Sequence, residues 1–286
     1  MSIESFRGPG GATLRYRLDD FTDPWKDAPT MVMVHGFGGF SGRWYRWVPP
    51  LAGHFRVVRF DIRGLGLSKV PAETYAITLD TLALDAIALL DHLKVKKVVW
   101  VGEHTGALMG VTLAGLVPER LHALCVMGAP LRPLDIPGFQ PAAIAKAPEV
   151  LGFRESLAGM QRLGMRAWLE AFARALGRSD EFPPGYNDWY LDQMAEEDAV
   201  LVAKFRSGMI ETDVRPRIPQ IAVPTFWVEG DRMAVLIPEW RALVAANPRI
   251  RIVDLPGLGN AIAYRQPEAC VAEVKKFLAA QGLWPD

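Results

Sequence analysis

The residue best placed to do chemistry in this sequence is His104, which stands in the middle of the turn Gly102–Gly106 (GEHTG). The turn follows a buried strand predicted at Lys97–Val101 and precedes a helix rich in small residues predicted at Ala107–Val117. An imidazole can take up or release a proton near neutral pH, so His104 is a candidate general base or acid. The chain has five histidines, and the last of them is His122.

Two further turns follow predicted buried strands. The glycine-rich turn His35–Gly39 (HGFGG) comes directly after the strand Met31–Val34, and the loop Asp61–Ser68 follows the strand Phe55–Phe60. The glycine spacing is not that of a phosphate-binding fingerprint. Open α/β sheets bind their ligands at the carboxyl ends of the strands, which is where these turns lie.

Short apolar runs alternate with longer helical patterns along the chain, and this alternation predicts βαβ units in a mostly parallel sheet. The first two strands, Ser2–Arg7 and Ala12–Leu18, are predicted to form a hairpin across a glycine-rich turn. The other predicted elements are helix Ser41–Leu51, helix Thr78–Leu93, strand Leu121–Met127, strand Thr225–Glu229, helix Pro238–Ala246, strand Arg249–Asp254 and helix Pro267–Ala280. The sequence therefore predicts the α/β class.

Residues 131–215 interrupt this pattern, because they contain several amphipathic helices and no convincing buried strand. Their apolar faces are supplied by Trp168, Phe172, Trp189, Tyr190, Phe205 and Met209. We expect this segment to form a helical cap over the carboxyl ends of the strands. The core would then consist of residues 1–130 and 216–286, with residues 131–215 as the cap.

Four motifs in the right order make the chain resemble the α/β-hydrolase superfamily, in particular its capped branch of esterases, epoxide hydrolases and dehalogenases. They are the turn His35–Gly39, the loop Asp61–Ser68, the turn Gly102–Gly106, and Pro256–Asn260 followed by Gln266–Glu268. The resemblance implies an α/β-hydrolase fold, a mostly parallel twisted sheet with helices on both faces and a helical cap insert. It also implies that GEHTG is the elbow that carries the catalytic nucleophile, with an oxyanion hole at HGFGG.

This chain carries a different residue at each position where the resemblance implies a member of the catalytic triad. His104 replaces the Ser, Cys or Asp at the centre of the elbow, Met233 holds the position of the acid, and Asn260 holds the position of the triad histidine. No histidine follows His122, so the last loop has no imidazole under any alignment. We therefore expect that the protein is not a working serine hydrolase.

The resemblance implies that the chain keeps the other parts of the family's site, arranged around His104. The backbone N–H groups of Phe37 and Thr105 are expected to form the oxyanion hole, and Gly102 and Gly106 preserve the geometry of the turn. Such a site polarises a carbonyl oxygen while His104 moves a proton, which suits a lyase or an isomerase better than a hydrolase. The alternative interpretation is that His104 is a polar plug that hydrogen-bonds a residue of the cap.

Four further side chains are predicted in or near the pocket, namely His35, Glu103, Trp168 and Trp189. His35 is interpreted as a hydrogen-bonding support of its turn, and Glu103 as a structural carboxylate. Most aromatic residues at helical spacing belong to the core, so only some are expected to touch a ligand. His35 and His104 lack metal-ligand spacing and no cysteine accompanies them, so no metal or other cofactor is predicted.

Charge and composition argue against several classes of protein. Lys and Arg together number 32, as do Asp and Glu, and no basic cluster predicts binding to nucleic acid or to an anionic membrane. Cys125 and Cys270 lie in apolar or helical patterns and are predicted to be buried thiols. We find no secretory signal and no apolar stretch long enough to cross a bilayer, and therefore expect a cytoplasmic protein.

Three functions remain open at this point. The first is an atypical, lyase- or isomerase-like enzyme that acts on a small apolar carbonyl compound. The second is a non-catalytic small-molecule-binding protein, such as a sensor or receptor, and the third is a structural protein with a vestigial pocket. The retained elbow, oxyanion turn and cap favour the first, whereas a cavity filled by His104 and aromatic side chains of the cap would favour the third. The sequence does not predict an oligomeric state.

Overall fold

The fold is known from a computed structural model that describes residues 2–70, 76–176, 182, 184–230, 237–256 and 261–285. The strands are β1 (Ser2–Arg7), β2 (Thr13–Asp19), β3 (Thr30–Val34), β4 (Arg56–Phe60), β5 (Val98–Glu103), β6 (Leu121–Met127), β7 (Thr225–Gly230) and β8 (Ile250–Leu255). They form one sheet in the order β1-β2-β4-β3-β5-β6-β7-β8. The pairs β1–β2 and β2–β4 are antiparallel, and all the other neighbouring pairs are parallel.

Helices connect most of these strands. The α-helices are α1 (Val48–Leu51), α2 (Leu79–His92), α3 (Thr105–Leu116), α4 (Pro141–Ile144), α5 (Pro148–Leu151), α6 (Ser156–Leu163), α7 (Met165–Ala175), α8 (Tyr186–Ala195), α9 (Ala199–Met209), α10 (Pro238–Ala245), α11 (Ile262–Arg265) and α12 (Pro267–Ala280). Short 3-10 helices lie at Pro9–Gly11, Ser41–Arg46, Pro118–Arg120, Pro133–Asp135, Pro137–Phe139 and Arg215–Gln220. None of the helices in the described ranges is both long and apolar enough to cross a membrane.

The central strands are buried on both faces of the sheet. Because side chains alternate along a strand, Val32 and Trp100 belong to the hydrophobic core on one face, and Met33 and Val101 belong to the core on the other. Helices α2 and α3 contribute to the first core, whereas α1 and α12 contribute to the second. Continuous apolar runs such as β3 and β5 are typical of parallel strands covered on both sides.

The predicted α/β class is confirmed, and most predicted elements lie within a few residues of the observed ones. Thr78 caps α2, because its hydroxyl accepts a hydrogen bond from the backbone N–H of Thr81 at 3.2 Å. The single helix predicted at Ser41–Leu51 is wrong, since a 3-10 helix ends at Arg46 and α1 begins at Val48. The break has a physical cause, because Pro49 and Pro50 have no N–H to continue a helical ladder.

The elements described between β6 and β7 are helical, as the sequence predicts. They contact the loops that follow β3 and β4, where the Tyr190 hydroxyl donates to the carbonyl O of Gly38 at 2.7 Å. The backbone N–H of Gly66 donates to Oε1 of Glu197 at 2.9 Å. The helical segment therefore lies over the carboxyl ends of the strands, and we call it the cap below.

The carboxylate of Glu197 lies in the contact between cap and core, where its charged form is disfavoured. Its second oxygen, Oε2, is buried without a hydrogen-bond partner. Burial raises the pKa of Glu197 from an ordinary value of 4.5 to about 7. Since the folded chain holds this proton more tightly than the unfolded chain, the stability contributed by Glu197 falls as the pH rises from 4.5 to about 7.

Replacing Glu197 with glutamine is expected to raise the melting temperature by about 3 °C at pH 8 and to leave it nearly unchanged at pH 5, because roughly 1 kcal/mol of charge burial is removed. Melting curves of the wild type and the variant at the two pH values measure this difference. Glu196→Gln is the matched control, since that side chain is exposed and adjacent. An equal shift at both pH values would show that the ionisation of Glu197 is not its cause.

Candidate active site

His104 stands at the sharp bend between β5 and α3. Its backbone has φ 49° and ψ −112°, a strained conformation that few residues other than glycine adopt. The bend is fixed by its own hydrogen bonds, because the N–H of His104 donates to the carbonyl O of Gly128 at 3.2 Å. The carbonyl O of His104 accepts from Ala107 and Leu108, both at 3.1 Å. The turn therefore holds His104 at a positive φ.

The glycines on either side of His104 are required by close approach of the backbone. A Cβ on Gly106 would lie 2.8 Å from the carbonyl O of His35 and closer still to that of Val34. A Cβ on Gly102 would overlap the backbone of Gly106 in the same way. The elbow can thus form only where both positions carry no side chain.

The glycine-rich turn after β3 lies directly against the elbow. Gly36 packs so closely on the side chains of Glu103 and His104 that a Cβ there would overlap both. Phe37 and Thr105 both line the cavity described below. Within the described part of the chain, the backbone N–H of neither residue donates a hydrogen bond to another protein group. Both residues thus lie beside the cavity, and their role as an oxyanion hole stays a prediction.

A cavity of about 340 Å³ lies between the elbow and the cap. Its wall is mainly apolar and consists of Phe37, Gly38, Pro133, Phe139, Phe153, Leu169, Phe172, Ala173, Phe182, Leu191, Met209, Ile210 and Ala261. Its polar lining consists of Arg43, Glu103, His104, Thr105, Glu170, Arg174, Asn187, Tyr190 and Arg206. The volume suits a small organic molecule with an apolar body and a few polar atoms.

His104 is one of the residues that line this cavity. Its Nδ1 lies 3.3 Å from the hydroxyl of Thr105, the first residue of α3. Glu103, the neighbour of His104, also lines the cavity, and 5% of its surface is exposed. The structure therefore brings together four residues that the sequence places at the site, namely His104, Glu103, Phe37 and Thr105.

Three of the residues predicted in or near the pocket, His35, Trp168 and Trp189, are not among the residues that line the cavity. His35 is fully buried, and its Nε2 accepts a hydrogen bond from the backbone N–H of Ile62 at 3.1 Å. Burial lowers the pKa of His35, which favours the neutral ring. His35 thus forms a hydrogen bond that supports the neighbouring turns, which agrees with its interpretation as a hydrogen-bonding support.

The two tryptophans of the cap face other side chains instead of the cavity. Trp168 donates its indole N–H to the carbonyl O of Glu149 at 3.1 Å and stacks on Phe172 at 5.2 Å between ring centroids. Trp189 packs against Phe40 at 5.4 Å between centroids. Helical spacing identifies an apolar face, but it does not reveal whether the face meets another helix or an open space.

The positions predicted for the triad acid and the triad histidine, Met233 and Asn260, lie outside the described residues. Ala261, the next residue after Asn260, does line the cavity. The chain after β8 therefore reaches the same site as the elbow.

Arg43 and Tyr190 are polar residues of the site that the sequence does not reveal. Arg43 is buried, donates from Nε to the hydroxyl of Tyr186 at 2.8 Å, and lies over the ring of Tyr264 with Cζ 3.8 Å from its centroid. Burial alone would lower the pKa of Arg43, but the surrounding tyrosines and, to a smaller extent, Glu103 raise it. No local motif signals these contacts, because they join residues far apart in the chain.

The sheet order, the elbow and the cap are those of the α/β-hydrolase fold, and the chain belongs to that family. The family model described as alpha/beta hydrolase fold matches residues 29–259, most of the chain. The resemblance inferred from the four motifs is therefore confirmed.

Individual relatives span nearly the whole chain at low identity. A protein from Stutzerimonas stutzeri named "Putative carbamate hydrolase RutD" is 25% identical over 268 residues, which cover 89% of this chain and 93% of the relative. The pimeloyl-[acyl-carrier protein] methyl ester esterase of Aeromonas hydrophila is 27% identical over 257 residues, covering 87% of this chain and 95% of the relative. Among solved structures, a hydrolase from Pseudomonas aeruginosa has a TM-score of 0.77 and 25% identity, covering 97% of this chain and 98% of that one.

Proposed function

We propose that this protein is an enzyme that acts on a small, largely apolar carbonyl compound, with His104 as the proton-transfer group. The backbone N–H groups of Phe37 and Thr105 would hold the carbonyl oxygen. The observation that carries the proposal is the imidazole of His104, which lines an open cavity at the position where the family places its nucleophile.

Covalent hydrolysis by a serine is not part of the proposal. The histidines are His35, His54, His92, His104 and His122, and the fully buried His35 is engaged by Ile62. No imidazole is left in the last third of the chain, where the family supplies the base for its nucleophile. We infer that His104, Met233 and Asn260 stand at the three triad positions, so the triad is degenerate and a nucleophile there would have no base.

The proposed chemistry is proton transfer at a carbon next to the carbonyl group. His104 removes the proton, the electron pair of the broken C–H bond forms a carbon–carbon double bond, the π pair of the carbonyl bond moves to the oxygen, and the two N–H groups stabilise the resulting enolate. Return of the proton to another carbon gives an isomerase. Loss of a leaving group from the next carbon gives a lyase.

The cavity also helps to choose between the two alternatives, a non-catalytic binding protein and a structural protein with a vestigial pocket. A vestigial pocket would be expected to be filled by side chains, whereas this one retains about 340 Å³. The structural role is therefore disfavoured. A non-catalytic binding protein needs the same cavity, so that alternative has to be separated from the enzyme by experiment.

Hydrogen–deuterium exchange at carbon tests the proposal without knowledge of the natural substrate. Small ketones such as cyclohexanone and 2-heptanone are incubated with the protein in D2O, and the loss of their α-hydrogens is followed by NMR. We expect the wild type to accelerate exchange and His104→Gln to lower the rate by about 100-fold, the usual scale of a general base. His122→Gln is the matched control, since His122 lies on β6 and is not among the residues of the cavity lining.

Two outcomes would contradict this assignment. Exchange that persists unchanged in His104→Gln would remove His104 as the base. Ketones that bind, as seen by saturation-transfer NMR, but never exchange would identify a binding protein instead of an enzyme.

A further inference from the structure

Arg206, on helix α9 of the cap, is a buried cation in the wall of the cavity. Only 3% of its surface is exposed, and it is one of the residues that line the cavity. Charged side chains are rarely buried to this extent unless an opposite charge accompanies them. An opposite charge is therefore expected close to Arg206.

In the described part of the chain, the hydrogen-bond partners of Arg206 are neutral carbonyl groups. Its Nη1 donates to the carbonyl O of Val150 at 2.9 Å, and its Nη2 donates to the carbonyl O of Leu151 at 3.0 Å. A guanidinium has more N–H donors than these two bonds use. Around it stand aromatic rings, with Cζ 4.8 Å from the centroid of Phe153 and 4.9 Å from that of Phe172.

No carboxylate of the described chain forms an ion pair with Arg206. Burial, with no opposing charge, lowers its pKa to about 9, so the group stays protonated at neutral pH. Aromatic faces offset only part of the cost of a desolvated cation. Arg206 is thus a positive charge with no carboxylate partner among the described residues, and it lines the cavity.

Two carboxylates, Glu103 and Glu170, and three arginines, Arg43, Arg174 and Arg206, line the cavity. Glu170 lies 3.4 Å from Nε of Arg166, and neither carboxylate forms an ion pair with Arg206. Cations therefore outnumber anions in the wall, and Arg174 is exposed whereas Arg206 is buried. A neutral apolar ligand would leave the charge of Arg206 uncompensated, whereas an anionic ligand would supply what the wall lacks.

We infer that Arg206 binds a carboxylate of the ligand, so that the compounds taken up by this cavity are small, largely apolar carboxylic acids in their ionised form. The planar guanidinium suits a carboxylate because it can donate two parallel hydrogen bonds to it. The inference rests on the proposed function for placing a ligand in this cavity, but it does not require His104 to transfer a proton.

A competing view is that Arg206 only braces the cap by bonding the end of α5. Binding measurements separate the two roles, because a brace gives no preference between charged and neutral ligands. Hexanoate, benzoate and phenylacetate are each compared with their primary amides, which have nearly the same shape and no charge. Dissociation constants are measured at pH 7 by saturation-transfer NMR and checked by the shift in melting temperature.

We expect at least one carboxylate to bind the wild type about tenfold more tightly than its amide, and Arg206→Met to remove that preference. Arg162→Met is the matched control, because Arg162 is an exposed arginine of the cap that does not line the cavity. It should keep the preference. Because this preference is a property of binding and the exchange assay measures proton transfer, a failure of the proposed function and a failure of this inference give different results.

The inference is overturned if no carboxylate of the panel binds the wild type more tightly than its amide. It is also overturned if folded Arg206→Met retains the preference, because another residue would then be the one that binds the carboxylate. If Arg206→Met fails to fold, the preference for carboxylate over amide is measured in Arg206→Lys instead. Lysine keeps the charge but loses the paired donors. A reduced preference in that variant supports the inference, and an unchanged one overturns it.

Discussion

Gly106→Ala is expected to lower the free energy of unfolding by about 3 kcal/mol, near the upper end of the usual cost of overpacking a well-packed interior. The added methyl group would meet the backbone carbonyl groups of Val34 and His35, at the end of the central strand β3. Backbone atoms cannot move aside as the end of a flexible side chain can. The elbow would have to shift as a whole, together with His104.

A second glycine of the same helix provides the control for this substitution. Gly115 is exposed near the end of α3, and a Cβ there would have no atom within 4 Å. Gly115→Ala should therefore stabilise the protein slightly, by about 0.5–1 kcal/mol, because alanine favours a helix over glycine. Urea unfolding of both variants measures the difference. Equal effects of the two substitutions would mean that the elbow is not closely packed.

Most of the fold could be predicted because its signals are local. Buried strands such as β3 and β5 appear as short apolar runs, and α2 appears as a helical pattern that opens with Thr78. These features depend on neighbours within a few residues, which a single sequence contains in full. The helix predicted at Ser41–Leu51 is wrong for an equally local reason, the missing N–H groups of two prolines, and the sequence does contain that signal.

The site divides into a part that motifs reveal and a part that they do not. His104, Phe37 and Thr105 lie in turns whose glycines fix the backbone, so the motif predicts where they stand. Arg43 and Arg206 reach the cavity through contacts with residues more than fifty positions away, such as Tyr186 and Leu151. Nothing in the local sequence around either arginine marks it as buried, since arginine is usually an exposed residue.

His104→Ser alone is expected to leave the hydrolysis of 4-nitrophenyl butyrate at background, although it restores a hydroxyl at the centre of the elbow. A serine hydroxyl is a weak nucleophile unless a base takes its proton, and the chain has no histidine after His122 to act from the last loop. Adding Asn260→His and Met233→Asp should supply the base and the acid that orients it. The triple variant is expected to exceed His104→Ser by about 1,000-fold in kcat/KM, a part of the roughly million-fold that a complete triad contributes.

The control for the triple variant carries Asn260→Gln in place of Asn260→His, which keeps the other two changes and removes only the imidazole. Labelling of the introduced serine by a fluorophosphonate reports whether it has become nucleophilic. A triple variant that folds but stays inactive would show that Met233 and Asn260 are not the triad positions. Rapid hydrolysis by His104→Ser alone would show instead that another group already serves as base. Because the assignment of these positions depends only on their place in the chain after β7 and β8, the experiment tests the degenerate triad separately from the cavity and from Arg206.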